Sequence, residues 1–134
     1  MKQSEGSKKI YNILRKAKKD FSIEKSFPNL KSFKGKKLRF DFCVYDENNN
    51  VDFLVEYDGE GHFHNIKKFY KNSIAFDNAR GRDRIKNNYC LAHHIPLYRI
   101  PYWELENISI FEDIKKNKFL VKSQYHNDRL APNK

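Results

Sequence analysis

Cysteine is nearly absent from this chain: Cys43 and Cys90 are the only two in 134 residues, and they form no CxxC pair. A disulfide framework and a cysteine-rich zinc site are therefore excluded, and a reducing cytoplasm is the expected setting. No apolar run approaches the ~20 residues that a membrane-spanning helix needs, and Met1 to Lys9 holds no hydrophobic signal-peptide core. A soluble protein without a membrane partner is expected. Acidic residues are the minority charge, 17 against 27 Lys and Arg, for a net charge of +10 and a pI near 9.6. That surplus draws polyanions over a Debye length, which points to nucleic acid, although a plain solvated lysine surface has the same composition.

A chain this short has apolar surface for one modest core, so residues 1–122 read as a single domain and the polar stretch 123–134 as a flexible tail. Between Ser4 and Lys19, Ile10, Ile13, Leu14 and Ala17 recur at helical spacing. Phe21 to Phe27 reads as a strand ended by Pro28, followed by a basic loop, Lys31 to Lys37, that contains Gly35. Leu38, Phe40, Phe42 and Val44 alternate with polar neighbours, and Asp46 to Asn50 is a strong turn. A β-hairpin with a second arm over Val51 to Tyr57 follows from that pattern.

Gly59 to Ser73 has no clear period and reads as a loop. Ile74 to His93 is expected to be helical, with Ala79, Ile85, Tyr89 and Leu91 or Ala92 facing inward. Pro96 to Ile100 reads as a strand, and Glu104 to Asn117 as a last helix with Ile108, Ile110, Phe111 and Ile114 on its apolar side. The order of elements predicts a three-layer α/β/α sandwich around a mixed central sheet.

Against this background the acids stand out. Asp41 sits in the first hairpin arm, inside Arg39-Phe40-Asp41-Phe42, and Glu56 follows the apolar run Phe53-Leu54-Val55 in the second. A carboxylate in an apolar sheet is costly unless a cation or hydrogen bonds compensate it. Adjacent arms lie about 5 Å apart, so the two acids can share one cation. A hard ion such as Mg²⁺ prefers such oxygens and assists phosphodiester hydrolysis by stabilising charge and activating water. The plainer readings are a surface Asp41 paired with Arg39 and an Asp58 that only opens the Asp58-Gly59 turn.

Taken together, Arg39-Phe40-Asp41-Phe42, then Val55-Glu56-Tyr57-Asp58-Gly59-Glu60-Gly61-His62, then Asp77, Arg80, Asp83 and Lys86, then Leu97-Tyr98-Arg99-Ile100-Pro101, resemble the PD-(D/E)xK nuclease superfamily. The likeness is greatest to the branch of very-short-patch repair endonucleases and related homing endonucleases, and it runs from the first helix through Glu104. It implies a restriction-endonuclease-like fold and a Mg²⁺-dependent DNA endonuclease, with Mn²⁺ able to substitute, of a kind carried by phages and mobile elements. It implies that Asp41, Glu56 and the Tyr57 main-chain carbonyl hold the metal. Asp58 stands where the standard pattern has lysine and would assist the metal or water.

The same resemblance gives His62 a proton-handling role supported by Asp83, or by Asp77 in its place, since a carboxylate fixes the imidazole tautomer and raises its basicity. Arg39, Lys67, Lys68, Arg80 and Lys86 would contact DNA. Many relatives carry a first-helix glutamate where this chain reads Ser7, within Ser4-Glu5-Gly6-Ser7. Glu5 lies two residues earlier, about 200° around a helix. A small catalytic domain of this kind can nick one strand, act on a special structure, or form a homodimer that cuts two. The rival expectations are a non-catalytic DNA-binding protein on a decayed nuclease fold and a ribonuclease.

Overall fold

The computed structural model describes residues 4–63 and 73–128, the side chains of 73–77 excepted. Ser4 starts the first helix, α1 (Glu5–Lys16): its hydroxyl accepts the Ser7 N–H at 3.2 Å, satisfying one of the free donors of the first turn. Ile10, Ile13 and Leu14 form its buried stripe. Gly6 lies directly on the Tyr57 ring, where a Cβ would stand 2.2 Å from Cζ, so only glycine lets the helix approach this closely.

Four strands follow in the spatial order β1-β2-β3-β4: β1 (Phe21–Lys31), β2 (Lys37–Tyr45), β3 (Val51–Asp58) and β4 (Leu97–Pro101). The first two pairings are antiparallel, and β3 with β4 is parallel, reached through α2 (Ser73–Ala92). The expected mixed sheet flanked by helices is present. β1 runs past the predicted stop at Pro28, because it is an edge strand whose register shifts between Ser26 and Lys31 and so tolerates a missing N–H.

Alternation along the strands splits the core in two. Phe42, Val44, Phe53, Val55 and Ile100 pack with Ile10, Ile13 and Leu14 of α1 and with Ile114 of α3 (Phe111–Ile114). Phe40, Cys43, Leu54 and Leu97 pack with Cys90 of α2, beside the half-buried Ile85 and Tyr89. On α2 the buried stripe is Asp83, Asn87 and Cys90, whereas Leu91 and Ala92, expected inside, face solvent. Polar partners from the sheet set that rotation, and apolar periodicity could not register them.

The expected last helix is broken. Tyr102–Asn107 is a 3-10 turn, Ile108 and Ile110 are extended, and only Phe111–Ile114 is α-helical. The Asp113 carboxylate accepts the N–H groups of Ser109 and Ile110 at 2.8 and 3.1 Å, fixing a helix start there, and Ile110 is exposed. The tail also differs from expectation: residues 123–128 pack onto the fold through a turn, His126–Asp128, with Asn127 1% exposed. Among the described residues, no helix is long and apolar enough to cross a membrane.

Candidate active site

Main-chain pairing between β2 and β3 runs from Tyr45↔Val51 to Phe42↔Val55. At the next rung the strands fork, and side chains replace the ladder. The Asp41 N–H donates to Glu56 Oε2 at 3.1 Å, and the Tyr57 N–H donates to Asp41 Oδ2 at 2.8 Å. Glu24, opposite Asp41 on β1, has φ +51°, so the kink crosses both strands. The side-chain pattern records it too: Phe40 belongs to the α2 cluster while Phe42 belongs to the α1 cluster.

The fork brings Asp41 and Glu56 together. Burial, and then the charge of Glu56, hold the Asp41 carboxyl well above the usual carboxylate range. Burial would lift Glu56 as well, but Lys86 and Arg99 outweigh it and keep Glu56 below its ordinary value. Lys86 reaches across from α2 to form an ion pair with Glu56 Oε1, and its ammonium lies 5.6 Å from the centre of the Phe40 ring. It is therefore turned inward, whereas a purely phosphate-gripping lysine would point to solvent.

Two residues further along β3, Asp58 anchors a second group. Its Oδ1 accepts from Arg99 Nη1 and its Oδ2 from Asn127 Nδ2, both at 2.7 Å. Arg99 is 1% exposed and also donates through Nε to Asn87 Oδ1 at 2.7 Å and through Nη2 to the Asp83 main-chain carbonyl at 3.4 Å. Asn127 closes the ring by accepting from Asn87 Nδ2 at 3.2 Å. A buried guanidinium is tolerated because its three nitrogens each meet an oxygen, from a carboxylate, a side-chain amide and a main-chain carbonyl.

His62 stands at the edge of this network in the 3-10 turn Glu60–His62. Its Nδ1 bonds Asp83 Oδ2 at 2.8 Å and lies 3.4 Å from Asp58 Oδ1. Burial alone would depress the imidazole, but the charge of Asp58 and the bond and charge of Asp83 overcome it and lift His62 to about 9. For Asp83, burial is outweighed by Arg99 and His62, which bring it down to about 2. At neutral pH His62 is a cation, so its first available act is to give a proton rather than take one.

Ligand atoms of Asp58, His62 and Asp83 lie within 4.8 Å of one another, close enough to hold a metal ion. Arg99 already occupies the same carboxylates, however, and a divalent ion there would face its guanidinium. At the Asp41–Glu56 fork the cation in direct contact, among the described residues, is Lys86 on Glu56 Oε1, and one oxygen of each acid accepts a main-chain N–H.

Arg39 is exposed on β2 and borders the hollow that reaches His62, Asp83 and Lys86. Arg80 is turned toward the Phe63 carbonyl, 3.5 Å from its Nη2, and toward Asp128, 3.9 Å from its Nη1. Glu5 projects into solvent beside Lys8, since α1 is regular from its first turn, and Ser7 belongs to the helix cap. The Asp77 side chain, Lys67 and Lys68 lie outside the described residues. Sequence reasoning missed Arg99, Asn87 and Asn127 as members of the site. Arg99 alone carried a signal, a charge inside the apolar strand Leu97-Tyr98-Arg99-Ile100.

No protein-family model and no solved structure matches this chain. A curated protein of Invertebrate iridescent virus 6, described as uncharacterized protein 307L, is 32% identical over 68 residues, which cover 51% of this chain and 34% of that protein. The chain thus aligns with about a third of its viral relative.

Proposed function

We propose that this protein is a metal-dependent DNA endonuclease built on the restriction-endonuclease-like version of its mixed sheet. The observation that carries the reading is the β2–β3 fork, where Asp41 and Glu56 hold each other's strands through their carboxylates and Lys86 meets Glu56 from the opposing helix. A fold gains nothing in stability by burying two neighbouring acids, one with its pKa pushed up, so a ligand is the economical explanation for keeping them.

Mg²⁺ suits this donor set, which offers hard carboxylate oxygens and the adjoining Tyr57 carbonyl named by the family resemblance, with Mn²⁺ as an acceptable substitute. Bound there, such an ion supplies charge stabilisation for the attacked phosphate and a water of lowered pKa. Lys86 replaces the lysine missing at Asp58 and keeps Glu56 ionised. His62, charged and backed by Asp83, would donate a proton to a departing oxygen. Asp58 serves as a positioning residue, with both oxygens engaged by Arg99 and Asn127.

A second reading, a DNA-binding protein without catalysis, is favoured by the exposed Glu5 and by Ser7 in the cap. Supercoiled plasmid incubated with Mg²⁺, Mn²⁺ or EDTA, in parallel with RNA, separates the readings. Nicking of DNA that EDTA abolishes, and that Asp41→Asn loses at unchanged DNA affinity, is expected. Tight DNA binding by the unaltered protein with no cleavage in either metal would establish the second reading, and cleavage of RNA alone would make the protein a ribonuclease.

A further inference from the structure

Phe33 is 92% exposed at the apex of the β1–β2 turn. A lone exposed aromatic is ordinary, but this one stands in an unusual setting. The turn is ordered: Ser32 N–H donates to the Lys36 carbonyl and Gly35 N–H to the Ser32 carbonyl, both at 2.9 Å, with Gly35 at φ +80°. The backbone of the apex is thus fixed, and the ring it carries stays largely in solvent while leaning over α2, where a Cβ on Gly81 would stand 4.0 Å from Phe33 Cε2.

Below it, a hollow of about 450 Å³ opens between the turn and α2, walled by Phe33, Lys34, Lys36, Lys37 and Arg82 among others. A second hollow of about 330 Å³ shares Lys37, Leu38 and Arg82 with the first and continues to Arg39, His62, Asp83 and Lys86. The two adjoin along those shared residues, so that together they line the surface between the aromatic tip and His62, Asp83 and Lys86 of the candidate active site. Among the described residues that line it, the charged side chains are mostly basic, with Glu24 and Asp83 as the acids, and the remainder are neutral.

We propose that the Ser32–Lys36 turn is a DNA-gripping wedge. Phe33 stacks on, or enters between, bases of the duplex, while Lys34, Lys36, Lys37 and Arg82 hold the flanking phosphates and lead the strand toward the Asp41–Glu56 fork. An aromatic face binds any base and the cations bind the backbone, so the element grips without reading sequence. This inference rests on the DNA reading above.

The test is binding in EDTA to duplexes carrying 2-aminopurine at successive positions, which needs no cleavage. The unaltered protein is expected to raise the fluorescence at one step by unstacking it. Phe33→Ala should abolish that rise and weaken binding roughly fivefold or more, as loss of one stacking contact does. Lys36→Gln with Lys37→Gln should reduce the salt dependence of binding by about one counterion per lysine and leave the fluorescence change in place. Because these side chains are on an exposed turn, the thermal unfolding midpoint should not move.

Unchanged affinity and an unchanged fluorescence rise in Phe33→Ala would overturn the wedge while leaving the nuclease reading intact. Failure of the unaltered protein to bind any DNA would overturn both. Phe33-dependent binding of RNA in preference to DNA would overturn the assignment of the partner.

Discussion

The two faces of the central sheet are made from the same strands and do opposite things. Toward α1 and α3, β3 and β4 present Phe53, Val55, Tyr57, Tyr98 and Ile100 to apolar neighbours. Toward α2, the same strands present Leu54 and Leu97 and then turn ionic, with Glu56, Asp58 and Arg99 meeting Asp83, Lys86 and Asn87. A strand's period of two lets consecutive residues serve unlike purposes. The apolar face stabilises the fold, at about 1.5–3 kcal/mol for each fully buried large side chain. The ionic face returns little net stability for its desolvation, which is why the proposed function rests on it.

Arg99→Leu would break this contrast most severely. It strands Asp58 and Asp83 as buried charges and should cost about 3–5 kcal/mol in chemical denaturation at neutral pH. Phe42→Ala on the other face should cost a similar amount through its cavity, about 3–5 kcal/mol. The two losses differ in their pH dependence. Asp83, held down at about 2 in the fold, stabilises it above the unfolded carboxylate pKa near 3.8, and this contribution fades as pH falls toward 2. The Arg99→Leu deficit should therefore shrink in acid while the Phe42→Ala deficit persists.

Asp41→Asn sharpens the comparison from the catalytic side. On the proposed reading, in which Asp41 holds the metal, the substitution should lower plasmid cleavage roughly 10³-fold, because the lost charge stabilisation amounts to several kcal/mol. Stability should hold or rise at pH 7. A carboxyl with a raised folded pKa stabilises only below its unfolded pKa and loses that contribution as pH rises, and a neutral amide avoids the loss. A fall in the unfolding midpoint would contradict the assignment of Asp41 to function.

Asn127→Ala should cost about 1–3 kcal/mol by leaving Asp58 Oδ2 without its donor and removing one of the two acceptors of Asn87 Nδ2. A midpoint equal to that of the unaltered protein would show that the segment 123–128 is dispensable. The smallest effect concerns His62. By NMR titration its imidazole should give up its proton near 9. Its contribution to stability is complete below about 6.5 and is lost as pH rises through 9, so His62→Gln should flatten the alkaline limb of the stability profile. A titration midpoint near 6.5 would rule out the Asp58–Asp83 environment.

Much of the candidate site was legible because its acids violate a local pattern. Asp41 lies between Phe40 and Phe42, and Glu56 and Asp58 follow the apolar run Phe53-Leu54-Val55, and that conflict can be seen without coordinates. The helix that follows carried Asp83 and Lys86 at a spacing that puts both on one side. The last helix was misread because Ile108, Ile110, Phe111 and Ile114 imitate a helical stripe, while the carboxylate of Asp113 caps the chain three residues later than the stripe begins. The anchoring of residues 124–128 was not legible because nothing in Gln124, Asn127 or Asp128 marks them as partners of the fold until Asn87, Asp58 and Arg84 are brought to them.

By itself, then, the order of residues determined the strands, the amphipathic α1, the excess of positive charge and the presence of acids where apolar side chains belong. These follow from short-range periodicity and composition. Tertiary structure alone decided that Lys86 meets Glu56, that Arg99 sits among Asp58, Asp83 and Asn87, and that Asn127 comes back across 69 positions of chain to Asp58. Those pairings depend on how far each strand runs before it forks and how α2 is rotated against the sheet. Both are settled by packing of the whole core, which no local window of sequence contains.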